Sequence, residues 1–339
     1  MIRSIKRNIM RLQRFAVDTV MNKTTTTGLT GLMKTYYDTE LLENARPNLY
    51  YAQFAKQQPL PRNNGRTIEF RKWNTLANAS ALTEGVIPNG QALAQTVVNA
   101  TLEQFGTYVT VSDLLDLHAI DPVILGATEE LGASAGLTID TLVRNVAVAG
   151  TNVMYADKVA ANGTRTAVTS RANLDKTALL DDTTVNQAAT MLKKMNAPTI
   201  NGKYVAIIHP SVAYDLRECE GWIEAHKYAA TTEIFNGEIG ELHNVRFVES
   251  TNAKIVMQTG TGALAVYQCL FLGKDAYGQV DPDGGGLEMI VKTRGEIGGP
   301  LEQFSTVGYK FENASVILYN ERMVRVECCS FYSDIDTAN

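Results

Sequence analysis

His209, Ser211 and Asp215 come nearest to a hydrolytic set in this chain: an imidazole two positions from a hydroxyl, with a carboxylate four positions further on. A serine nucleophile needs a neighbouring base and a third group that orients it. In α/β hydrolases it also sits on a tight elbow flanked by glycines. Those glycines are missing. The string YVAIIHPSVAYDL (residues 204–216) reads instead as a strand ending at His209, then a helix whose first turn is set by Pro210 and capped by Ser211. Two glycine-rich stretches fail for similar reasons. GTGALA (residues 260–265) fits the loose dinucleotide pattern, yet it leads into an apolar strand where a phosphate-binding loop must open a helix. DPDGGG (residues 281–286) starts like a calcium loop, but Gly285 takes the fifth position and Lys292 the twelfth, where a bidentate glutamate is required. It reads as a turn.

The four histidines, His118, His209, His226 and His243, are far apart, and none has a second ligand at metal spacing. Cys219, Cys269, Cys328 and Cys329 show no CxxC spacing and include an adjacent pair, so neither a zinc site nor a disulfide framework is expected. That cysteine usage fits a reducing interior such as the bacterial cytoplasm. The sequence therefore assigns no catalytic residue, no cofactor and no metal, and an enzyme is not expected.

With no site to position, the question becomes what the elements are for. A chain of 339 residues suits two domains or one large one, and 45% hydrophobic with 20% charged residues is a globular composition. No apolar run approaches the roughly 18 residues of a membrane span. Charge is unevenly placed. Arg3, Lys6, Arg7, Arg11 and Arg14 against Asp18 give residues 1–21 a net +4, leaving −9 on the remainder of a chain whose total is −5. Ile2, Ile5, Ile9, Leu12, Phe15 and Ala16 recur at helical spacing, which predicts an amphipathic arm that docks on a neighbouring surface. Arg11 and Arg14 interrupt any apolar core a secretory signal would need.

Beyond a polar linker at residues 24–31 and a short helical pattern ending at Pro47, the chain sets out a long ribbon. GRTIEFRKWNTL (residues 65–76) alternates apolar and polar positions, and QTVVNATLEQFGTYVTVS (residues 95–112) is rich in Val, Thr and Tyr. Between them LTEGVIPNGQALA (residues 82–94) reads as a turn. Arms of roughly eleven residues would reach on the order of 35 Å. With Arg66, Arg71 and Lys72 on one arm and little bulky apolar matter expected near the tip, such a ribbon cannot bury both faces in its own subunit.

Asp121 and Pro122 then predict a helix start, followed by a proline-free run over 123–149 that stops at Gly150. Gly126, Gly132 and Gly136 each cost that helix about 1 kcal/mol relative to alanine, so packing must hold it. Thr183 is predicted to cap a second helix. Strands are predicted at 204–208 and 245–249 and, near the C-terminus, in ALAVYQCLFL, LEMIVKT, ASVILYN and RMVRVEC. The fold class read from this order is α+β with discontinuous domains.

Several blocks together carry a family resemblance: residues 45–76, LTEGVIP (82–88), residues 204–216, IGELHNVRFVES (239–250) and GYKFENASVILYNERMVRVE (308–327). The chain resembles tailed-bacteriophage major capsid proteins with the Hong Kong-type capsid fold, and within them the N-four-type short-tailed phage major capsid family. The resemblance implies an N-terminal arm over 1–60, an extended β-hairpin loop over 61–112, a peripheral domain with its spine helix over 113–200, an axial domain over 201–262, and an axial return with a peripheral β segment over 263–339. It implies that the ribbon lies across an adjacent identical subunit, with Arg66, Arg71, Lys72, Trp73, Glu84, Val86, Pro88 and Asn89 at the contact. Arg3, Arg7, Arg11, Arg14 and Phe15 are the corresponding contacts of the arm. The implied function is self-assembly, through pentamers and hexamers, into the icosahedral head of a tailed phage in the bacterial host cytoplasm. Implied partners are scaffolding and portal proteins, a decoration protein in some relatives, and enclosed double-stranded DNA held without sequence-specific binding. The acidic body suits a wall that does not grip phosphate.

Some relatives weld the shell through a loop lysine, but residues 76–96 contain none and Lys72 is the nearest, so no such cross-link is expected. Only about sixty residues precede the ribbon, too few for an independent core. An uncleaved arm and a separate scaffolding protein are therefore expected. An encapsulin-type bacterial compartment is the alternative on the same fold, and a cytoplasmic α/β hydrolase the alternative outside it.

Overall fold

The structure, a computed structural model, describes residues 49–339 apart from 64, 75, 83, 86, 88, 119–122, 224–237, 259–262, 294–300 and 302. The basic leader, the linker at 24–31, the short helix before Pro47 and the Asp121–Pro122 start signal lie outside the described residues. In chain order the elements are β1 (Lys56–Leu60), β2 (Thr67–Trp73), β3 (Gln95–Thr101), β4 (Glu103–Ser112), α1 (Asp113–His118), α2 (Val123–Ala147), β5 (Val153–Tyr155), β6 (Lys158–Val159), β7 (Arg165–Thr166) and α3 (Asp182–Lys194). There follow β8 (Tyr204–Ile208), α4 (Pro210–Glu218), β9 (Glu238–Leu242), β10 (Val245–Glu249), β11 (Ile255–Met257), β12 (Ala265–Leu272), β13 (Tyr277–Pro282), β14 (Glu288–Lys292), β15 (Phe304–Asn313), β16 (Ser315–Ile317) and β17 (Met323–Cys328).

The central lobe is built on a sheet ordered β5-β17-β12-β8-β10-β9, with β11 pairing β12 at one side. Every residue of β8 is buried, as a strand covered on both faces must be. Its side chains still alternate. Tyr204, Ala206 and Ile208 join the core under α3 and α4, with Leu192, Leu216, Phe247 and Phe271. Val205 and Ile207 join the opposite core, with Tyr51, Val143, Ala147 and Leu270. The strands predicted at 204–208 and 245–249 are found with those bounds, paired in parallel.

Helix α2 is 25 residues long, about 37 Å at 1.5 Å per residue. It serves two sheets. Val143 and Ala147 lie beneath the central lobe, whereas Leu131 and Ala135 lie beneath a three-stranded sheet ordered β14-β15-β4, against Met289, Val307, Tyr309 and Phe311. Gly132 and Gly136 are buried in that packing, but among the described residues nothing lies within 4 Å of the missing Cβ of Gly126. At mid-helix a polar junction ties three segments together. Buried Asp140 accepts from the Tyr51 N–H at 2.6 Å and from Asn252 Nδ2 at 3.0 Å, and Arg144 Nη1 donates to the Asn252 carbonyl at 2.8 Å. Burial raises the Asp140 carboxyl above its ordinary range, against the hydrogen bonds it accepts.

Two predicted caps move. Helix α3 is capped by Asp181, whose Oδ1 accepts from the Thr184 N–H at 2.9 Å; Thr183 lies inside the first turn. The carboxylate of Asp181 also pairs with Arg165, and this outer charge makes it the stronger acceptor. Helix α4 is capped by His209, whose Nδ1 accepts from the Ser211 N–H at 3.2 Å, with Pro210 at the first helical position and Ser211 two positions too late to cap.

The return arm of the ribbon is also shorter than read. It breaks at Leu102: β3 pairs β2 over seven residues, and β4 leaves to pair all ten of its residues with β15. Seven pairs span about 24 Å. The break follows from burial, because the Leu102 side chain turns into the core beneath the ribbon and ends the ladder.

Candidate assembly surface

The ribbon divides into an anchored stem and a bare tip. On the inner face of the stem Phe70 opposes Val98 and Ile68 opposes Ala100. Phe70 sits in a small core with Leu60, Ala100, Leu102, Val280, Ala314 and Leu318, above the sheet ordered β1-β13-β16. Gly278 makes this possible: a Cβ there would lie 2.9 Å from Phe70 Cε1. At the foot, Arg66 Nε donates to the Leu102 carbonyl at 2.7 Å while the Leu102 N–H returns a bond to the Arg66 carbonyl at 2.9 Å. Lys72 places Nζ 5.0 Å from the Tyr319 ring centre, a cation–π contact, and Arg322 lies over the same ring. Arg71 pairs with Glu69 at 3.4 Å, but both are well exposed, so the pair contributes little.

Beyond Trp73 and Gln95 the two chains stay together through the Asn74 N–H to the Ala94 carbonyl at 3.0 Å, Thr96 Oγ1 to Asn74 Oδ1 at 2.8 Å, and Gln91 Nε2 to the Ala77 carbonyl at 3.0 Å. The reversal passes through Gly85 at φ +77°, a conformation a β-carbon would strain. The tip is more apolar than the sequence reading allowed. Leu76, Leu82, Ile87 and Leu93 on the tip, and Trp73 and Val97 at the end of the stem, are all exposed, Ile87 to 92%. Full burial of one such side chain is worth about 1.5–3 kcal/mol, so covering these six would contribute on the order of 10 kcal/mol before the costs of association.

Of the ribbon residues singled out from sequence, the structure places Arg66, Arg71, Lys72 and Trp73 on the stem, and Glu84 and Asn89 at the exposed tip; Val86 and Pro88 are outside the described residues, as are Arg3, Arg7, Arg11, Arg14 and Phe15 of the arm. Arg66 and Lys72 are engaged within their own subunit. Trp73, at 62% exposure, is free to meet something else.

A second apolar surface was not foreseen. Among the described residues β4 is an edge strand with its outer ladder open, and Tyr108 and Val109 on it are exposed. Helix α1 follows directly, held by the Asp113 N–H donating to the Gln303 carbonyl at 2.9 Å, and adds Leu114, Leu115 and Leu117 beside Leu301 and Phe304. The available signal was the run LLDL at 114–117, three leucines with too few residues around them to form a core face.

The chemistry-bearing residues resolve into packing. His209, Ser211 and Asp215 are used in capping and in holding the C-terminal segment. The four cysteines are free thiols; Sγ of Cys269 and Cys328 lie 3.8 Å apart, and that contact together with burial raises the Cys328 thiol well above its usual value. No cluster of three or more potential metal ligands occurs among the described residues.

Solved phage heads share this fold. The capsid of Ralstonia phage GP4 matches with a TM-score of 0.65 at 16% identity, covering 86% of this chain and 93% of that one. The cyanophage Pam1 capsid matches at 0.63 and 12% identity, over 85% and 92% of the two chains. The capsid of the cyanophage P-SCSP1u matches at 0.58 and 15% identity, over 82% and 87%. At such identities the likeness is one of fold, and the fold is the Hong Kong-type fold of phage capsids. A family model described as phage capsid protein matches residues 94–324, so the chain belongs to that family. It is a major capsid protein, a structural subunit of an icosahedral phage head and resident in the virion capsid. No curated protein matches its sequence.

Proposed function

We propose that this subunit closes five- and six-membered rings by laying its ribbon on the adjacent copy, and that the bare tip is the donor half of that contact. The observation that carries the reading is the contrast within one hairpin: Phe70 is buried in its own subunit while Ile87, further along, is 92% exposed. Head-to-tail contacts are heterologous, so one chain must carry two different complementary patches. The β4–α1 surface, with Leu114, Leu115, Leu117 and Phe304, supplies a second patch of similar character. Trp73, Glu84, Val86, Pro88 and Asn89 make the contact at the neighbour, and Arg66, Arg71 and Lys72 act at the stem that aims it.

In this reading the chain divides as an arm (1–60), an extended loop (61–112), a peripheral domain (113–200), an axial domain (201–262) and a return segment (263–339). Arg3, Arg7, Arg11, Arg14 and Phe15 of the arm dock on a neighbouring subunit. The shell encloses double-stranded DNA without reading its sequence, assembles in the bacterial host cytoplasm with separate scaffolding and portal proteins, takes a decoration protein if the head carries one, and belongs with the N-four-type short-tailed phages. Removing residues 83–91 tests the central claim. The subunit should fold with unchanged circular dichroism yet form no shells in negative-stain micrographs; shells in normal yield would refute the ribbon's role.

A further inference from the structure

The C-terminal residues cross the body as a fixed strap. The Cys329 N–H donates to the Ala178 carbonyl at 2.9 Å, Ser330 Oγ to the Ser211 carbonyl at 3.1 Å, and the Phe331 N–H to Asp215 Oδ2 at 2.9 Å. Further along, the Ala265 N–H donates to the Asp334 carbonyl at 3.0 Å, and the Ile255 N–H to Asn339 Oδ1 at 2.9 Å. Held this way, the strap keeps Phe331, Tyr332 and Ile335 on the surface, with Tyr332 5.1 Å from the Tyr214 ring.

The closing contact is Asp336. Its Oδ2 accepts from Tyr267 OH at 2.6 Å and from Ser211 Oγ at 3.2 Å, and its Oδ1 accepts from Ser333 Oγ at 2.6 Å. Ser211 is shared. The same residue gives its N–H to His209 Nδ1, and its Oγ stands 3.1 Å from that nitrogen. The imidazole, 5.1 Å from the Tyr267 ring, is thus at once the cap of α4 and a wall of the strap's socket. Histidine can cap a helix only while Nδ1 keeps its lone pair. A proton there removes the acceptor and sets positive charge at the positive end of the helix.

We propose that His209 makes the C-terminal strap a proton-sensitive latch, closed while the imidazole is neutral and opened on acidification, when α4 loses its cap and residues 330–339 come free. The groups facing His209 are Asp336 from the strap, Glu249 from β10, itself paired with Arg217 of α4 at 3.1 Å, and Tyr267 from β12; Asp215 lies further along α4. Burial disfavours the imidazolium, and the Asp336 and Glu249 carboxylates favour it. Burial prevails, so the ring sits below its ordinary value. Asp336 is held low by the Ser333 and Tyr267 hydrogen bonds and stays charged across the same range. The sign follows. An opened strap lets His209 take up its proton at the free value near 6.5, so closure is fully favoured above that pH and weakens as pH falls below it toward the lowered value. One unit below the free value, the open population rises by up to about tenfold.

Hydrogen–deuterium exchange on purified shells at about pH 7.5 and about pH 5.5, corrected for intrinsic exchange, reads the latch directly. Protection of peptides covering 329–339 and α4 should fall by up to about tenfold at the lower pH. His209→Asn keeps a capping oxygen without a titrating group, and its protection ratio should stay flat. Equal protection at both pH values in the wild type, or the same loss in His209→Asn, would overturn the proposal. If that variant yields no shells, the wild-type profile decides: protection that begins to fall as pH drops through about 6.5 supports His209, and protection kept until the carboxylate range of about 4 assigns the opening to Asp336 and removes the latch.

Discussion

Leu192 and Ile87 are nearly the same residue in opposite circumstances. Leu192 projects from α3 into the central lobe and is wholly buried; Ile87 sits on the ribbon tip and is 92% exposed. The lobe completes its centre within one chain, where every residue of β8 and β12 is buried. The tip has comparable apolar side chains, spaced along a hairpin too thin to cover them. On the proposed reading this subunit carries two kinds of hydrophobic residue, one satisfied by folding and one by assembly, and the two should separate in experiment.

The sharpest separation sets these two positions against each other. Leu192→Ala should cost the unassembled subunit about 2–5 kcal/mol, read as a lowered midpoint in chemical denaturation. Ile87→Asp should change that midpoint by no more than about 0.5 kcal/mol, as surface changes do, and abolish shells in electron micrographs. A large loss of subunit stability in Ile87→Asp would mean that the tip folds back onto its own body, and the contrast would fail.

Gly278→Val probes the border between the two regions, because its side chain would occupy the space that Phe70 Cε1 holds at 2.9 Å from the missing Cβ. Overpacking of this kind costs about 1–3 kcal/mol. The expected result is a modest stability loss with a larger loss of shell yield, since the displaced Phe70 no longer aims the ribbon. Equal, proportionate losses would show that the stem is merely part of the core.

The stem and the lobe also differ in how far the sequence disclosed them. YVAII and VRFVE are continuous apolar runs between turn signals, and such runs leave few alternatives; both strands lie where the pattern put them. Helix α2 was legible for the same reason, a long stretch free of proline ending before Gly150. The break at Leu102 was not legible. The residues on either side alternate in one continuous strand pattern, and only the tertiary choice of partner, β2 for one half and β15 for the other, divides them. β13 and β15 were hidden by turn-like and glycine-containing sequence, in which Gly278 and Gly308 serve close packing. Gly308 faces Tyr108 across the ladder, with only 2.6 Å from its missing Cβ to the tyrosine's. His209 was passed over as a cap because imidazole is not among the usual capping groups. Of the two surfaces proposed for assembly, the sequence pointed to the ribbon and not to the β4–α1 patch, since a short leucine run looks the same whether its cover is intramolecular or a neighbour.

Acid should reach the lobe through its helix cap. Burial alone would raise the Asp181 carboxyl, but the bonds from Arg165 and Thr184 outweigh it and hold the group below its ordinary value. A lowered carboxylate contributes stability above its unfolded value, near 3.9, and loses it as pH falls through the folded one. Asp181→Ala should therefore cost about 1–2 kcal/mol near neutrality, and less in acid. Asp181→Asn should keep the Thr184 bond and flatten that pH dependence, measured by denaturation of the unassembled subunit between about pH 3 and about pH 7. Shell yield at neutral pH should be nearly untouched in both, because the cap lies in the region that folding alone completes.

Gly126→Ala carries the smallest expected change and asks the most about the second surface. Gly126 lies one turn inside α2, is exposed, and has nothing among the described residues within 4 Å of its missing Cβ, so those residues give no packing reason for glycine there. Alanine should stabilise the helix by up to about 1 kcal/mol. If shell yield is unchanged, the glycine has no role in either region. If the subunit gains stability while shells are lost, a neighbouring chain approaches the helix closely at that point, and the acceptor side of the ring contact extends from α1 onto the start of the spine helix.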